Sequence, residues 1–370
     1  MATFYEKIKL FQGLFTQEVA YTGPFFLTMD LTRRCNLRCY GCRYHSPHGM
    51  IATTKDNIIQ DYPLDLFRKV TAELKTMGTG SICISGEGEP FLHPHLLDFV
   101  SIAKEAGLQV VLLTNGTLLD EHKITSLIAS RLDILKVSLW ASSFEEYERN
   151  YQGANLSNFY RVVEGLQLLA QLKAAQGSTL PSVVLHQPIN RYNFQNTPAL
   201  VNLALATGCD GLSFSPLRTR RGRFVAGALS PEEERSFCRT LKQMKKRLKS
   251  RFINDGIDHV IKRFQIGEAV WEKLPCYIGW LHAYLKVDGA VLPCGDCSLV
   301  MGNLGDHSFQ EIWNGSAFRA FRRQTRTRAG LRALTDHCDC AFCCYALDNA
   351  RVHRFFRWVS LFCAGERSQH

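Results

Sequence analysis

Three cysteines, Cys35, Cys39 and Cys42, fall within one run of eight residues, Cys35-Asn36-Leu37-Arg38-Cys39-Tyr40-Gly41-Cys42. Three thiolates on one short loop can wrap a single cuboidal 4Fe–4S cluster, and three ligands for four irons leave one iron open to a substrate or cofactor. Structural zinc would use the same thiolates, but it takes four ligands, commonly in C-x-x-C pairs. A second concentration of cysteine lies towards the C-terminus: Cys276, Cys294, Cys297, Cys338, Cys340, Cys343 and Cys344. Two cysteine centres on one chain imply two metal sites. The other four of the 14 cysteines, Cys83, Cys209, Cys238 and Cys363, stand alone and read as core residues.

The elements that must position these thiols alternate in type. Strand patterns run over 25–31, 81–85, 110–113, 132–139, 183–185 and 212–214. Helical spacing separates them over 64–77, 96–106, 159–173 and 197–206. Such βαβ alternation predicts a parallel sheet, open or curled into a barrel, with its chemistry at the carboxyl ends of the strands. The first cysteine loop follows the first strand directly. Further on, Ser230-Pro231-Glu232-Glu233 marks a helix start, and the helix after it is basic, reading as a solvated linker.

The whole-chain numbers bound the partners. With 46 % hydrophobic and 21 % charged residues among 370, the chain can bury a sizeable core and is not disordered. A net charge of +10 suits an anionic partner. There is no secretory leader and no apolar run of about 18 residues, so no membrane span is expected and the chain reads as cytoplasmic. In that compartment clustered cysteines favour metal or redox chemistry over disulfides. The apolar tail 355–362 is too short for an anchor and reads as a docked terminal segment.

The cysteine loop after the first strand resembles the C-x-x-x-C-x-x-C signature of the radical S-adenosylmethionine (radical SAM) superfamily. The turn Ser85-Gly86-Glu87-Gly88-Glu89-Pro90 resembles that family's G-G-E-P motif, with Glu87 in place of the first glycine. Thr114-Asn115-Gly116 and Val137-Ser138-Leu139 resemble its later strand ends. Gly289-Ala290-Val291-Leu292-Pro293-Cys294, Gly302-Asn303-Leu304-Gly305 and the C-terminal cysteines resemble its SPASM/twitch extension, which holds auxiliary clusters. The resemblance implies an α/β fold: a partial (β/α)6 TIM-like barrel followed by a small Cys-rich SPASM/twitch domain. The corresponding boundaries are an N-terminal segment 1–20, a core 21–228, a helical linker 229–275, an auxiliary-cluster domain 276–350 and a tail 351–370.

The resemblance also implies roles. Cys35, Cys39 and Cys42 hold the first 4Fe–4S cluster. Gly86, Glu87, Gly88 and Glu89 meet the amino group of S-adenosylmethionine. Asn115, Ser138 and Arg149 serve its strand-end contacts, with Ser138 and Arg149 on the ribose and carboxylate. Asn190 supplies a polar contact, while Tyr40, Gly41 and Leu217 lie near the adenine; position 41 is usually aromatic in the family. Cys276, Cys294, Cys340 and Cys343 match the four-cysteine twitch arrangement and one auxiliary 4Fe–4S cluster, leaving Cys297, Cys338 and Cys344 as spare or alternative ligands; zinc is the non-redox alternative.

The implied reaction is reductive cleavage of S-adenosylmethionine to a 5′-deoxyadenosyl radical that abstracts hydrogen, with electrons from a donor such as flavodoxin or ferredoxin. Asp296, near Cys294, is the candidate general base. His45 and His48 lie beyond the loop. Arg218, Arg220, Arg221 and Arg223 follow the sixth strand and suit an anionic substrate. About 24 residues precede the first strand, too few for a leader-peptide-binding domain. The expectation is therefore an oxidation or rearrangement of a small molecule or sugar, with peptide or protein maturation as the alternative. A zinc-stabilised nucleic-acid-binding protein is the competing class, although nucleic acid is not the expected partner.

Overall fold

The computed structural model describes residues 4–46, 61–217, 227–248, 252, 256–267, 270–340 and 343–365. His48 and Arg218, Arg220, Arg221 and Arg223 lie outside the described residues. The chain divides into two compact units. One comprises Met29–Arg68 and Ile82–Phe264; the other comprises Met1–Thr28, Lys69–Ser81 and Gln265–His370.

Six strands form the predicted parallel architecture: β1 (Phe26–Asp30), β2 (Ser81–Ser85), β3 (Gln109–Thr114), β4 (Ile134–Ser138), β5 (Ser182–Ile189) and β6 (Gly211–Pro216). They lie in the order β6-β5-β4-β3-β2-β1 without closing, a partial barrel. The first unit holds the carboxyl ends of β1 and β2 and all of β3 to β6. Parallel register pairs Val137 with Leu185 and Ser138 with His186, then His186 with Ser213.

Each strand alternates. Ile82 and Ile84, Val110 and Leu112, Leu135 and Val137, and Val183 and Leu185 are buried on one face. Helices Leu96–Glu105, Glu121–Ala129, Leu156–Ala175 and Thr197–Ala206 bury apolar faces in turn. Each such buried aliphatic side chain contributes about 1.5–3 kcal/mol. The opposite strand face keeps partial exposure and carries Cys83, Lys136, His186, Ser213 and Ser215.

At the amino ends of the strands one device recurs. Asp133, just before β4, accepts from Val110 N (2.7 Å) and Lys104 Nζ (2.6 Å). Asp210, just before β6, accepts from Val183 N and Lys173 Nζ, both at 2.8 Å. A carboxylate thus holds the start of a strand and the helix before it.

The basic helix Pro231–Arg247 starts with the expected box, Ser230 Oγ accepting from Glu233 N and Glu233 Oε2 from Ser230 N. It is not a solvated linker. Phe237, Leu241 and Met244 are buried, and Phe237 meets the rings of Phe194 and Phe264 at 6.5 and 6.0 Å. The lysines that suggested solvation occupy only its other face: Lys242 and Lys246 are exposed.

In the second unit β7 (His282–Leu285), β8 (Ala290–Leu292) and β9 (Gly302–Asn303) pair antiparallel. Its centre is Arg322, which is fully buried. The guanidinium donates to the carbonyls of Gly279 (2.7 Å), Trp313 (2.7 Å) and Glu18 (3.0 Å) and to Asn314 Oδ1 (3.0 Å). It also lies 4.7 Å from the Trp313 ring. The N-terminal segment is thereby part of this unit: Trp313 Nε1 donates to Thr22 O, and Arg326 Nη1 to Leu14 O. The C-terminal helix Ala346–Gly365 docks as expected, Phe355 against Phe11 (4.4 Å) and Phe356 against Phe15 (5.2 Å). Among the described residues no helix is long and apolar enough to cross a membrane.

Candidate functional site

The Cys35–Cys42 loop is built by short-range pairing. Cys39 forms an isolated bridge with Tyr151, Tyr40 N donates to Asn150 O (2.8 Å), and Gln152 N donates to Arg38 O (3.0 Å). Cys42 N donates to Cys39 O, closing a turn. The amides of Tyr44 and His45 point at Cys42 Sγ from 3.4 and 3.3 Å. Burial pushes the Cys35 thiol up to about 11, with the charges of Glu89 and Cys42 adding. Burial pushes Cys39 well above the usual thiol range, and Cys42 and Cys35 push further. Two enclosed thiols whose ionisation is opposed, with a third cysteine on the same loop, suit a cationic centre that takes them as thiolates. The donor set therefore fits an iron–sulfur cluster with three protein ligands.

The turn after β2 packs against this loop. Gly86 has φ +134, and a Cβ there would lie 2.4 Å from Asp30 Oδ1. A Cβ on Gly88 would lie 2.1 Å from Arg34 O and 2.7 Å from Thr32 O. Two backbones thus touch where the sequence departs least from glycine. The carboxylates of this turn are held by protein. Glu87 pairs with Arg33 Nε at 2.8 Å, and its carbonyl accepts from His45 Nε2 at 2.8 Å. Glu89 accepts from Thr114 Oγ1 (2.6 Å), Asn115 N (2.7 Å) and Phe91 N (3.2 Å). Glu89 joins the ends of β2 and β3, and burial still raises its pKa.

Asn115 continues that chain. Its Nδ2 donates to Asn36 Oδ1, and Asn36 Nδ2 donates to Thr117 Oγ1, both at 2.8 Å. Asn36 lies inside the cysteine loop, so the end of β3 orients the ligand-bearing segment. Ser138 Oγ accepts from Trp140 Nε1 at 3.1 Å. Gly41 lies against Leu217, whose Cδ1 would be 2.6 Å from an added Cβ, and against Trp140 at 3.2 Å. Trp140 fills the space beside the position where the family usually has an aromatic. Tyr40 instead reaches Tyr192, hydroxyl to hydroxyl at 3.4 Å. Arg149 is exposed in the last turn of helix Phe144–Asn150. Asn190 is fully buried; its Nδ2 donates to Asn150 Oδ1 and its Oδ1 accepts from Tyr192 N. The orienting roles of Asn36 and Trp140 escaped sequence reasoning. For Trp140 a signal existed: it follows Ser138 by two residues, on the same side of an extended chain.

The second centre belongs to the other unit. Cys276, Cys294, Cys340, Cys343 and Cys344 line one cavity of about 390 Å³, its open mouth included, together with Asp296 and Tyr345. Burial pushes Cys276 up to about 11. Burial raises Cys294 strongly, and the charges of Asp296, Cys276, Cys343 and Cys340 raise it further. Asn349 Nδ2 reaches Cys343 Sγ at 3.7 Å. Among the described residues no three candidate ligands converge on one metal ion. The thiols surround a volume instead, which fits a polynuclear cluster. Cys297 and Cys338 are bonded to each other as a disulfide, so two of the three spare cysteines are paired; Cys338 and Cys344 both line the cavity. Behind it His282 is fully buried, facing Thr28 Oγ1 (2.9 Å), Pro293 O (3.1 Å) and Tyr345 (3.1 Å).

Comparison with known proteins agrees with this arrangement. The Radical SAM superfamily pattern matches residues 29–186, and the SPASM pattern, an iron–sulfur cluster-binding domain, matches residues 276–344. An AdoMet-dependent heme synthase of Methanosarcina barkeri is 25 % identical over 322 residues, 81 % of this chain and 85 % of that protein. A PqqA peptide cyclase of Methylobacterium nodulans is 27 % identical over 315 residues, 81 % of this chain and 76 % of that one. The crystal structure of Streptococcus suis SuiB bound to its precursor peptide SuiA has a similar fold, with TM-score 0.67 and 14 % identity over 92 % of this chain and 75 % of that one.

Proposed function

Because the chain belongs to the radical SAM superfamily and carries a SPASM domain, we propose that it cleaves S-adenosylmethionine reductively at the Cys35–Cys39–Cys42 site and oxidises or rearranges a peptide. The observation that carries the cleavage is the three-thiol loop packed against the Gly86–Gly88 turn. When bound, the cluster and S-adenosylmethionine supply one-electron reduction and a hydrogen-abstracting radical. The chain's own groups do the rest. Cys35, Cys39 and Cys42 would hold the first cluster. The exposed backbone of Gly86 would receive the cofactor's ammonium, and Arg149 its carboxylate. Ser138 keeps a hydroxyl oriented by Trp140. Leu217, packed on Gly41, flanks the adenine. Cys276, Cys294, Cys340 and Cys343 hold an auxiliary cluster, and Asp296 beside it accepts the substrate proton. Electrons come from a flavodoxin- or ferredoxin-like donor.

A peptide rather than a sugar is supported by the PqqA peptide cyclases, which align over 81 % of the chain. A small-molecule substrate is the second reading, favoured by the heme synthase relative. The test is anaerobic reconstitution with iron and sulfide, followed by dithionite and S-adenosylmethionine, with and without candidate precursor peptides. The reading expects 5′-deoxyadenosine release and a mass change in a peptide. No 5′-deoxyadenosine from iron-loaded protein would refute the cleavage, and turnover of small molecules alone would refute the peptide.

A further inference from the structure

The inward face of the barrel carries a polar group of residues with no part in the site above. Lys136 precedes Ser138 by two residues on β4, so both point to the same side, about 6.6 Å apart along the strand. Register places His186 beside Ser138 and Ser213 beside His186. Ser213 Oγ and Ser215 Oγ each lie 3.2 Å from one ring nitrogen of His186, Nδ1 and Nε2 respectively. A neutral imidazole offers one N–H and one lone pair, so one serine donates and the other accepts. Burial first, and the Lys136 charge second, hold His186 well below the ordinary imidazole range, which keeps it neutral. Cys83, facing the same space from β2, is held as a thiol by burial.

Lys136 carries the amine of this group. Among the described residues its Nζ makes no hydrogen bond and no ion pair; burial lowers its pKa, opposed by Cys83 alone. Cys83, Lys136 and His186 each keep accessible surface although protein surrounds them, as side chains lining an enclosed lumen do. An enclosed ammonium without a partner is costly to a fold. Its neighbours cannot relieve it: a neutral ring, two hydroxyls and a thiol.

We propose that Lys136 is the receptor for an anionic group of the substrate, a carboxylate or a phosphate, bound inside the barrel against the His186–Ser213–Ser215 edge. This deepens the function proposed above and rests on it for the identity of the substrate pocket. The anion would sit one pleat from Ser138 along β4. In a peptide the group is an acidic side chain.

The test compares melting temperatures of iron-loaded full-length wild type, Lys136→Met and Lys136→Arg at constant ionic strength. Sodium phosphate, sodium acetate and S-adenosylmethionine are the probes. Without anions K136M melts above wild type, because an unpaired enclosed charge has gone; a residue with a purely structural role would lower the transition. Phosphate or acetate at ten times its Kd raises the wild-type transition by roughly 2 °C. In K136M the response falls about tenfold or more in apparent affinity, and K136R restores part of it. A response to acetate alone fits a carboxylate substrate, and one to phosphate alone a phosphorylated one. The proposal is overturned if K136M melts lower, if wild type responds to neither anion, or if K136M responds equally. It is also overturned if K136M loses its response to S-adenosylmethionine, which would assign the lysine to the cofactor. Wild type unmoved by S-adenosylmethionine would contradict the proposed function instead, and the anion comparison would still be readable.

Discussion

Gly88→Ala is the sharpest test of how the first site is built. The added methyl would lie 2.1 Å from Arg34 O, 2.7 Å from Thr32 O and 2.8 Å from Arg34 C, all backbone atoms. Ordinary contact needs 3.4 Å, so the two segments must part by about 1.3 Å. Parting them breaks the bond from Glu89 N to Arg34 O, now 2.8 Å. Overpacking of this kind costs about 1–3 kcal/mol, and the lost buried hydrogen bond adds about 1 kcal/mol. A drop in Tm of roughly 3–5 °C follows for a chain of this size. The larger effect is local, because Arg34 is joined to Cys35. Displacing it moves the first ligand, so reconstituted G88A holds about four fewer irons per chain and releases little 5′-deoxyadenosine. Gly107→Ala is the control. Its φ of +83 makes alanine strained, yet nothing lies within 4 Å of the new methyl. It loses about 1 kcal/mol of stability and no iron. G88A with full iron and activity, or G107A with an equal iron loss, would refute the reasoning.

Three further outcomes follow from the second unit. Arg322→Lys cannot reach the four acceptors of the guanidinium and costs about 2–4 kcal/mol, seen as a lowered melting transition; an unchanged transition would contradict the central role of Arg322. Burial holds His282 at about 4 against an ordinary 6.5, so the fold favours the neutral ring. Its contribution is complete above pH 6.5 and drains as pH falls towards 4, by about 3 kcal/mol in all. Iron-free His282→Gln should show a flatter loss of stability over that range than iron-free wild type. Cys297→Ser or Cys338→Ser keeps full iron, because these two pair with each other, whereas serine at Cys276, Cys294, Cys340 or Cys343 removes about four irons. Iron analysis decides, and an iron loss in C297S would make that pair cluster ligands.

The parallel barrel was legible because its strands alternate and its helices repeat at 3.6 residues, and the cysteine loop because thiol spacing is local. What stayed hidden depends on distant neighbours. Glu89 reads in sequence as a ligand for the cofactor; that it also joins the ends of β2 and β3 through Thr114 and Asn115 depends on residues distant in the chain. The basic helix Pro231–Arg247 reads as solvated because lysine and arginine dominate its composition, while three apolar residues decide where it packs. Arg322 had no signal at all: an arginine among arginines becomes central only when Glu18, Gly279, Trp313 and Asn314 arrive around it.

The same contrast separates groups that build the barrel's carboxyl end from groups available for chemistry there. Glu89, Asn115 and Asn36 form a continuous hydrogen-bonded chain from β2 through β3 to the cysteine loop. Asn150 and Asn190 close a second link below Tyr192. Each of these groups exchanges its hydrogen-bonding capacity with protein, so the end of the barrel is set before any ligand arrives and little reorganisation remains for the reaction. Two cations stand out against that background. Among the described residues neither Arg149 nor Lys136 makes a hydrogen bond or an ion pair, although Glu145 and Glu146 act on Arg149 through their charge, and the turn at Gly86 is exposed. One cation lies at the rim, on the helix after β4, and the other on β4 itself, one pleat below Ser138. In the function proposed above, Arg149 would take the carboxylate of the cofactor and Lys136 an anion of the substrate.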